Sequence, residues 1–293
     1  MKVFVTGGTG LIGSAVVAEL LAHGHTVTAL ARSDKSALAA QKAGAEPLRG
    51  GLSDLDVLRT GAGRADGVVH LAFGHDFSSP EAIARSVEEE SAALGALGEA
   101  LTGSDRPLVT VSGTPYVPGR ASTEADPIPT DGPVGGRARS VMDVLALAEH
   151  GVRSTSIRLP RTVHNRGNGG FAGLLAQMAR QSGVCRYPGD GSQRRPAVHA
   201  LDAAVLFRLA LESAPAGTAW HAVADEGDTV RAIATVIGRR LGLPVEEVPP
   251  ATFGPLGTIF ATDQPSTSTR TQDQLGWKPA HPSLLEDLEN IQP

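Results

Sequence analysis

The chain has 293 residues, enough for one large core or for a core with a smaller lobe. A net charge of -5 and a pI near 6.0 give no electrostatic case for binding nucleic acid or an anionic membrane. A single cysteine, Cys185, excludes an internal disulfide and fits a reducing, cytoplasmic setting, and no segment approaches the ~20 uninterrupted apolar residues of a membrane helix.

The first apolar run, Lys2-Val3-Phe4-Val5, reads as a strand and is too short for a signal peptide. Directly behind it stands "VTGGTGLIGS", in which Gly7, Gly10 and Gly13 recur at intervals of three before a stretch with helical apolar spacing from Leu11 to Leu21. Val27–Leu30 follows Gly24 and reads as the second strand; a helix near 34–43, with Asp34 as its cap, comes next. Gly67–Ala72, Pro107–Ser112 and Thr155–Leu159 read as strands buried on both faces, separated by helices near 80–102 and 138–149. The alternation predicts an α/β fold, a doubly wound parallel sheet over residues 1–160, with ligands beyond the carboxyl ends of its strands. From about residue 161 glycine, proline and arginine become frequent and elements short. Residues 161–293 are therefore expected to form mainly a smaller, substrate-binding C-terminal lobe, with chain passing back to the sheet.

Strand, glycine turn and helix in that order are the context of a dinucleotide-binding loop. The first glycine allows the tight turn, the second lets backbone approach a pyrophosphate, and the third lets helix pack on strand. Backbone N–H groups at the helix start then meet phosphate charge. The second strand ends Leu30-Ala31-Arg32-Ser33. A carboxylate at its tip would hold the ribose 2′-hydroxyl of NAD, whereas arginine accepts the 2′-phosphate of NADP. Ala31 followed by Arg32 therefore favours NADP.

The segments "TGGTGLIG", "VVHLAFG", "VTVSGT", "IRLPRTVH", "PAVHALDAA" and "LGWKP" cover nearly the whole chain. Through them the chain resembles an extended-type short-chain dehydrogenase/reductase of the NAD(P)-dependent epimerase/dehydratase family. The resemblance implies a Rossmann domain, a C-terminal substrate lobe, and a homodimer formed through helices near 80–102 and 138–149. It implies cofactor contacts at Gly7, Thr9, Gly10, Leu11, Ile12 and Gly13, at Arg32 and Ser33, near Leu52, at Leu71, Ala72 and Phe73, and at Pro160. Gly51 stands where the family usually has an aspartate against adenine.

The family's catalytic tyrosine and the lysine four residues after it are missing. Arg120 follows Tyr116 and Gly191 follows Tyr187 at that spacing, and the lysines are Lys2, Lys35, Lys42 and Lys278. Alignment through the fifth strand puts Thr114 at the Ser/Thr position, Gly135 at the tyrosine and Arg139 at the lysine, the pattern of an atypical branch. Arg139 would hold the ribose but is too basic to transfer a proton. Thr114 would polarise the acceptor, and His75, Tyr116 or water would supply the proton. His164 and His199 are weaker proton donors, and His70 reads as a core residue. Arg194 and Arg195 form either an anion grip or a solvated pair, and Phe171, Met178 and Tyr187 either a pocket lining or core. No zinc spacing, P-loop lysine or nucleophile elbow competes.

The leading expectation is an NADPH-dependent reductase acting on a carbonyl or imine of a fairly apolar small molecule. The alternatives are an NADP-binding sensor or scaffold without turnover, and a non-redox isomerase or cyclase.

Overall fold

The computed structural model describes residues 1–74, 76, 78–131 and 135–292. In chain order the elements are β1 (Lys2–Thr6), α1 (Leu11–Ala22), β2 (Thr26–Ala31), α2 (Asp34–Lys42), β3 (Glu46–Arg49), α3 (Leu55–Arg64), β4 (Gly67–His70), α4 (Pro80–Leu101), β5 (Pro107–Gly113), α5 (Gly135–Ala146) and β6 (Arg153–Leu159). There follow β7 (Thr162–His164), α6 (Gly170–Ser182), β8 (Cys185–Pro188), β9 (Arg194–His199), α7 (Ala200–Ser213) and β10 (Thr218–His221). The last elements are β11 (Asp225–Thr229), α8 (Val230–Leu241), β12 (Val245–Val248), α9 (Gly257–Ala261), α10 (Thr269–Leu275) and α11 (Leu284–Leu288).

Seven parallel strands form the central sheet in the order β10-β6-β5-β4-β1-β2-β3. The order reverses between β1 and β4, which opens a crevice at their carboxyl ends. Side chains alternate across the sheet: Val3 and Val5 join the core under α1 and α7, while Phe4 joins the core under α3 and α4. Burial on both faces explains why these strands read as uninterrupted apolar runs. β3 carries Pro47 and escapes that signature; as the edge strand it tolerates a residue with no N–H to give.

The C-terminal residues divide. β7, β9 and β11 form a small sheet, β8 and β12 a parallel pair, and α6, α8 and α11 close a separate core around Phe171, Leu175, Ile233 and Leu288. Phe171 and Tyr187 belong to this core and Met178 packs against it. By contrast, α7 packs on α1, β10 pairs with β6, and Trp220 and Trp277 are buried in the sheet core. Among the described residues no helix is long and apolar enough to cross a membrane.

Candidate functional site

The glycine loop joins β1 to α1. Gly7 has φ +72°, and a Cβ there would stand 2.7 Å from the Ala72 nitrogen, so only glycine lets β1 end against the chain leaving β4. A Cβ on Gly13 would lie 2.0 Å from the Gly7 carbonyl oxygen, which fixes how closely the helix seats on the loop. Thr9, Gly10 and Leu11 are exposed, Ile12 is half-buried, and Gly10 caps α1 without a side-chain hydrogen bond. No acidic residue occupies the first turn, so its free N–H groups and the positive helix end are uncompensated. These features fit a dinucleotide pyrophosphate.

Thr6, at the end of β1, organises the neighbouring strand end. Its hydroxyl oxygen accepts from the Leu71 and Ala72 nitrogens at 3.2 and 3.3 Å, which leaves its O–H to donate to His70 Nδ1 at 3.0 Å. His70 is then the Nε2–H tautomer. Complete burial, with Arg137 adding to it, pushes its pKa down to about 3. Leu71, Ala72 and Phe73 follow half-buried at the carboxyl edge.

Beyond β2, Arg32 and Ser33 are exposed. Ser33, not Asp34, caps α2: its hydroxyl accepts from the Ser36 nitrogen, and the Ser36 hydroxyl closes a capping box. Asp34 instead pairs with Arg49 at 3.1 Å. The Gly51 nitrogen donates to Asp54 Oδ2 at 2.7 Å. A cavity of about 540 Å³ opens where adenine is expected, with Leu52, Ser53, Asp76, Arg85 and Ser86 on its walls.

At the carboxyl end of β5, Thr114 is 7% exposed and its Oγ1 has no hydrogen-bond partner among the described residues. Its backbone is pinned, the nitrogen donating to the Leu159 carbonyl at 3.0 Å and the carbonyl accepting from Gln264 Nε2 at 3.1 Å. Pro160 follows the end of β6. Tyr116 is 45% exposed. His75 lies outside the described residues.

Gly135 opens α5, and a Cβ there would come within 2.2 Å of the Thr130 carbonyl oxygen. The tyrosine position is therefore closed by backbone. Arg139 does not turn inward: it is exposed, and its Nη1 donates to that same Thr130 carbonyl at 2.6 Å. The inward cation is Arg137, two residues earlier and on another helix face. It makes a two-pronged pair with buried Glu90 of α4 at 2.6 and 2.7 Å and lies 4.0 Å over the centre of the Phe73 ring. Burial holds Glu90 above the usual carboxylate range, against the pull of Arg137. The helix expected from residue 138 begins at 135, and the alignment that sets Arg139 at the lysine position passes over Arg137.

The two arginines of the Arg194–Arg195 pair part company, one exposed and one buried, and neither is a free anion grip. Arg194 binds Asp263 at 2.8 Å, and Arg195 is fully buried, donating to the carbonyls of Ile259, Phe260 and Thr262. Burial pushes the Arg195 pKa down to about 10. His164, His199 and Asp287 come together with their ligand-type atoms within 4.8 Å of one another, a grouping that their sequence separation conceals. His164 Nδ1 is 2.9 Å from Asp287, while His199 Nδ1 accepts from the Leu201 nitrogen and caps α7. In neutral His199 the proton is then on Nε2, which removes the lone pair a metal would need. The trio ties β7 and β9 to α11, and His281 stacks on His199.

A profile of the NAD dependent epimerase/dehydratase family matches residues 3–223. An uncharacterized protein of Schizosaccharomyces pombe is 42% identical over 98% of each chain. A 3-diazoavenalumate denitrifying reductase of a Streptomyces species is 31% identical over 98% of this chain and 99% of its own. The UDP-glucose 4-epimerase of Thermotoga maritima, solved with UDP-glucose, superposes with a TM-score of 0.81 at 22% identity, covering 99% of this chain and 97% of that one. With the glycine loop, the parallel sheet and the family profile in agreement, the chain belongs to the NAD dependent epimerase/dehydratase family.

Proposed function

We propose that the protein is an NADPH-dependent reductase that delivers hydride to a carbonyl or imine carbon of a fairly apolar small molecule. The observation that carries this reading is the Thr114 hydroxyl, buried, without a hydrogen-bond partner among the described residues and held at the carboxyl end of β5, in a chain with no tyrosine–lysine pair. A buried hydroxyl without a partner costs free energy unless a ligand satisfies it. The relative named as a reductase, similar along its whole length, supports the same class.

The loop from Gly7 to Gly13 would hold the pyrophosphate, the cavity beside Leu52 the adenine, and Arg32, with Ala31 in place of an acid, the 2′-phosphate. When bound, the nicotinamide supplies the hydride. Thr114 donates a hydrogen bond to the acceptor oxygen and draws charge onto it. Tyr116, His75 or water gives the proton; an iminium acceptor needs none. Sugar epimerisation requires an efficient base at the position that Gly135 leaves closed, which weighs against it. A cytoplasmic homodimer, paired through α4 and α5, completes the reading.

The test is loss of reduced-nicotinamide absorbance with bulky ketones and cyclic imines, NADPH beside NADH. Oxidation of NADPH in step with product supports the reductase. NADPH binding without oxidation on any acceptor moves the assignment to a sensor, and product formed with NADPH unchanged moves it to an isomerase or cyclase.

A further inference from the structure

Arg161 stands at the junction of the two lobes, between β6 of the large sheet and β7 of the small one. Its carbonyl accepts from the Phe171 nitrogen at 3.1 Å, which anchors its backbone to the start of α6. Its guanidinium donates once: Nε to Gln264 Oε1 at 2.7 Å. Gln264 is 5% exposed, and its amide nitrogen reaches the Thr114 carbonyl at 3.1 Å. One buried glutamine thus fixes Arg161 and Thr114 on a common support.

Several other arginines place at least one terminal nitrogen on a carboxylate or a backbone carbonyl. Arg137, Arg194 and Arg208 bind carboxylates, whereas Arg153, Arg158 and Arg195 bind backbone carbonyls. Arg161 has neither: its Nη1 and Nη2 make no hydrogen bond, and it has no acidic partner among the described residues. Surrounding protein lowers its pKa through burial alone, yet the side chain is exposed. Arg161 thus reaches solvent at the junction of the two lobes.

We infer that Arg161 is a specificity-determining residue whose free Nη edge binds a carboxylate of the substrate, while Thr114 holds the reacting oxygen. This rests on the reductase reading for Thr114 and adds a substrate class to it: oxo or imino compounds bearing a carboxylate. Two parallel N–H donors on a planar fork match a carboxylate. A phosphate dianion would call for further donors, and Arg195, whose charge feels that of Arg161, has its terminal nitrogens already committed to carbonyls.

Binding without turnover tests this separately from hydride transfer. Saturation-transfer NMR on the NADP-loaded protein would compare 3-phenylpropanoate, 3-phenylpropanamide and phenyl phosphate. The carboxylate should bind at least about tenfold more tightly than the amide, as a charge-assisted bond implies. Arg161→Gln should erase that preference while still binding the amide, and Arg161→Lys should keep part of it. Equal signals from carboxylate and amide in the wild type, no signal from either, tighter binding of phenyl phosphate, or a preference unchanged in Arg161→Gln would overturn the assignment. Because no step of the measurement oxidises NADPH, an enzyme that fails to reduce any ketone can still show the preference.

Discussion

Replacing Arg137 with methionine removes the only ion-pair partner of the Glu90 carboxylate among the described residues. The Glu90 side chain is 3% exposed and that of Arg137 28%, so the acid bears most of the desolvation and the base is partly screened. Breaking a buried pair costs about 3–5 kcal/mol because the surviving charge is stranded. The partial exposure of Arg137 places the expected loss at the lower end, about 3 kcal/mol near neutral pH. The loss should shrink in acid. Burial already raises the Glu90 pKa and Arg137 opposes the rise, so the variant's carboxyl takes up a proton at higher pH than the wild type's. Once it is neutral in both proteins, the penalty of the unpaired charge disappears. Urea unfolding at about pH 8 and about pH 5 measures both effects. The double variant Glu90→Leu/Arg137→Met should recover most of the stability, since no charge is left buried. A loss below about 1 kcal/mol for Arg137→Met, or a double variant less stable than the single one, would refute the reasoning.

Gly13→Ala places a methyl 2.0 Å from the Gly7 carbonyl oxygen, so the loop must move; NADPH affinity, read by fluorescence titration, should fall at least about tenfold. Arg32→Ala should weaken NADPH by roughly 10- to 100-fold and leave NADH nearly unchanged, in the same titration. His70 and His221 are held neutral by burial, with pKa values near 3 and near 4 against 6.5 for the free side chain. Below about pH 6.5 the unfolded chain binds protons that the folded protein refuses, so stability is lost as pH falls through that window. Replacing either with glutamine should reduce the slope of urea-derived stability against pH by up to about 1.4 kcal/mol per unit.

Local patterns were legible in the sequence. The glycine spacing, the doubly buried strands and the end of β2 at Ala31 each depend on a few adjacent residues, and the structure brings the glycine loop and Ala31 to the carboxyl ends of the strands of one sheet. Elements that break their own pattern were missed. β3 contains a proline allowed by its edge position, α3 carries two glycines, and β10 is four residues long. The site suffered most from phase. Counting four residues on from Gly135 selects Arg139, yet two residues along a helix turn a side chain through about 200°, and it is Arg137 that faces inward. Ser33 and Asp34 compete for one cap, and which wins depends on where the helix begins. Gln264 gives no sequence signal: it reaches Thr114 across 150 residues. Arg161 sat in plain view after Pro160, but the lack of an acid to pair with it is visible only in three dimensions.

The most direct test of the central claim follows the hydride. The protein would be incubated with NADPH carrying deuterium at the transferable position of the nicotinamide and with a bulky oxo-acid. Product would be examined by mass spectrometry for the wild type and for Thr114→Val. The account predicts deuterium at the former carbonyl carbon with the wild type and a rate at least about a hundredfold lower in the variant, the scale set by loss of an oxyanion donor. Product that contains no deuterium, or label transfer unaffected by Thr114→Val, would contradict it.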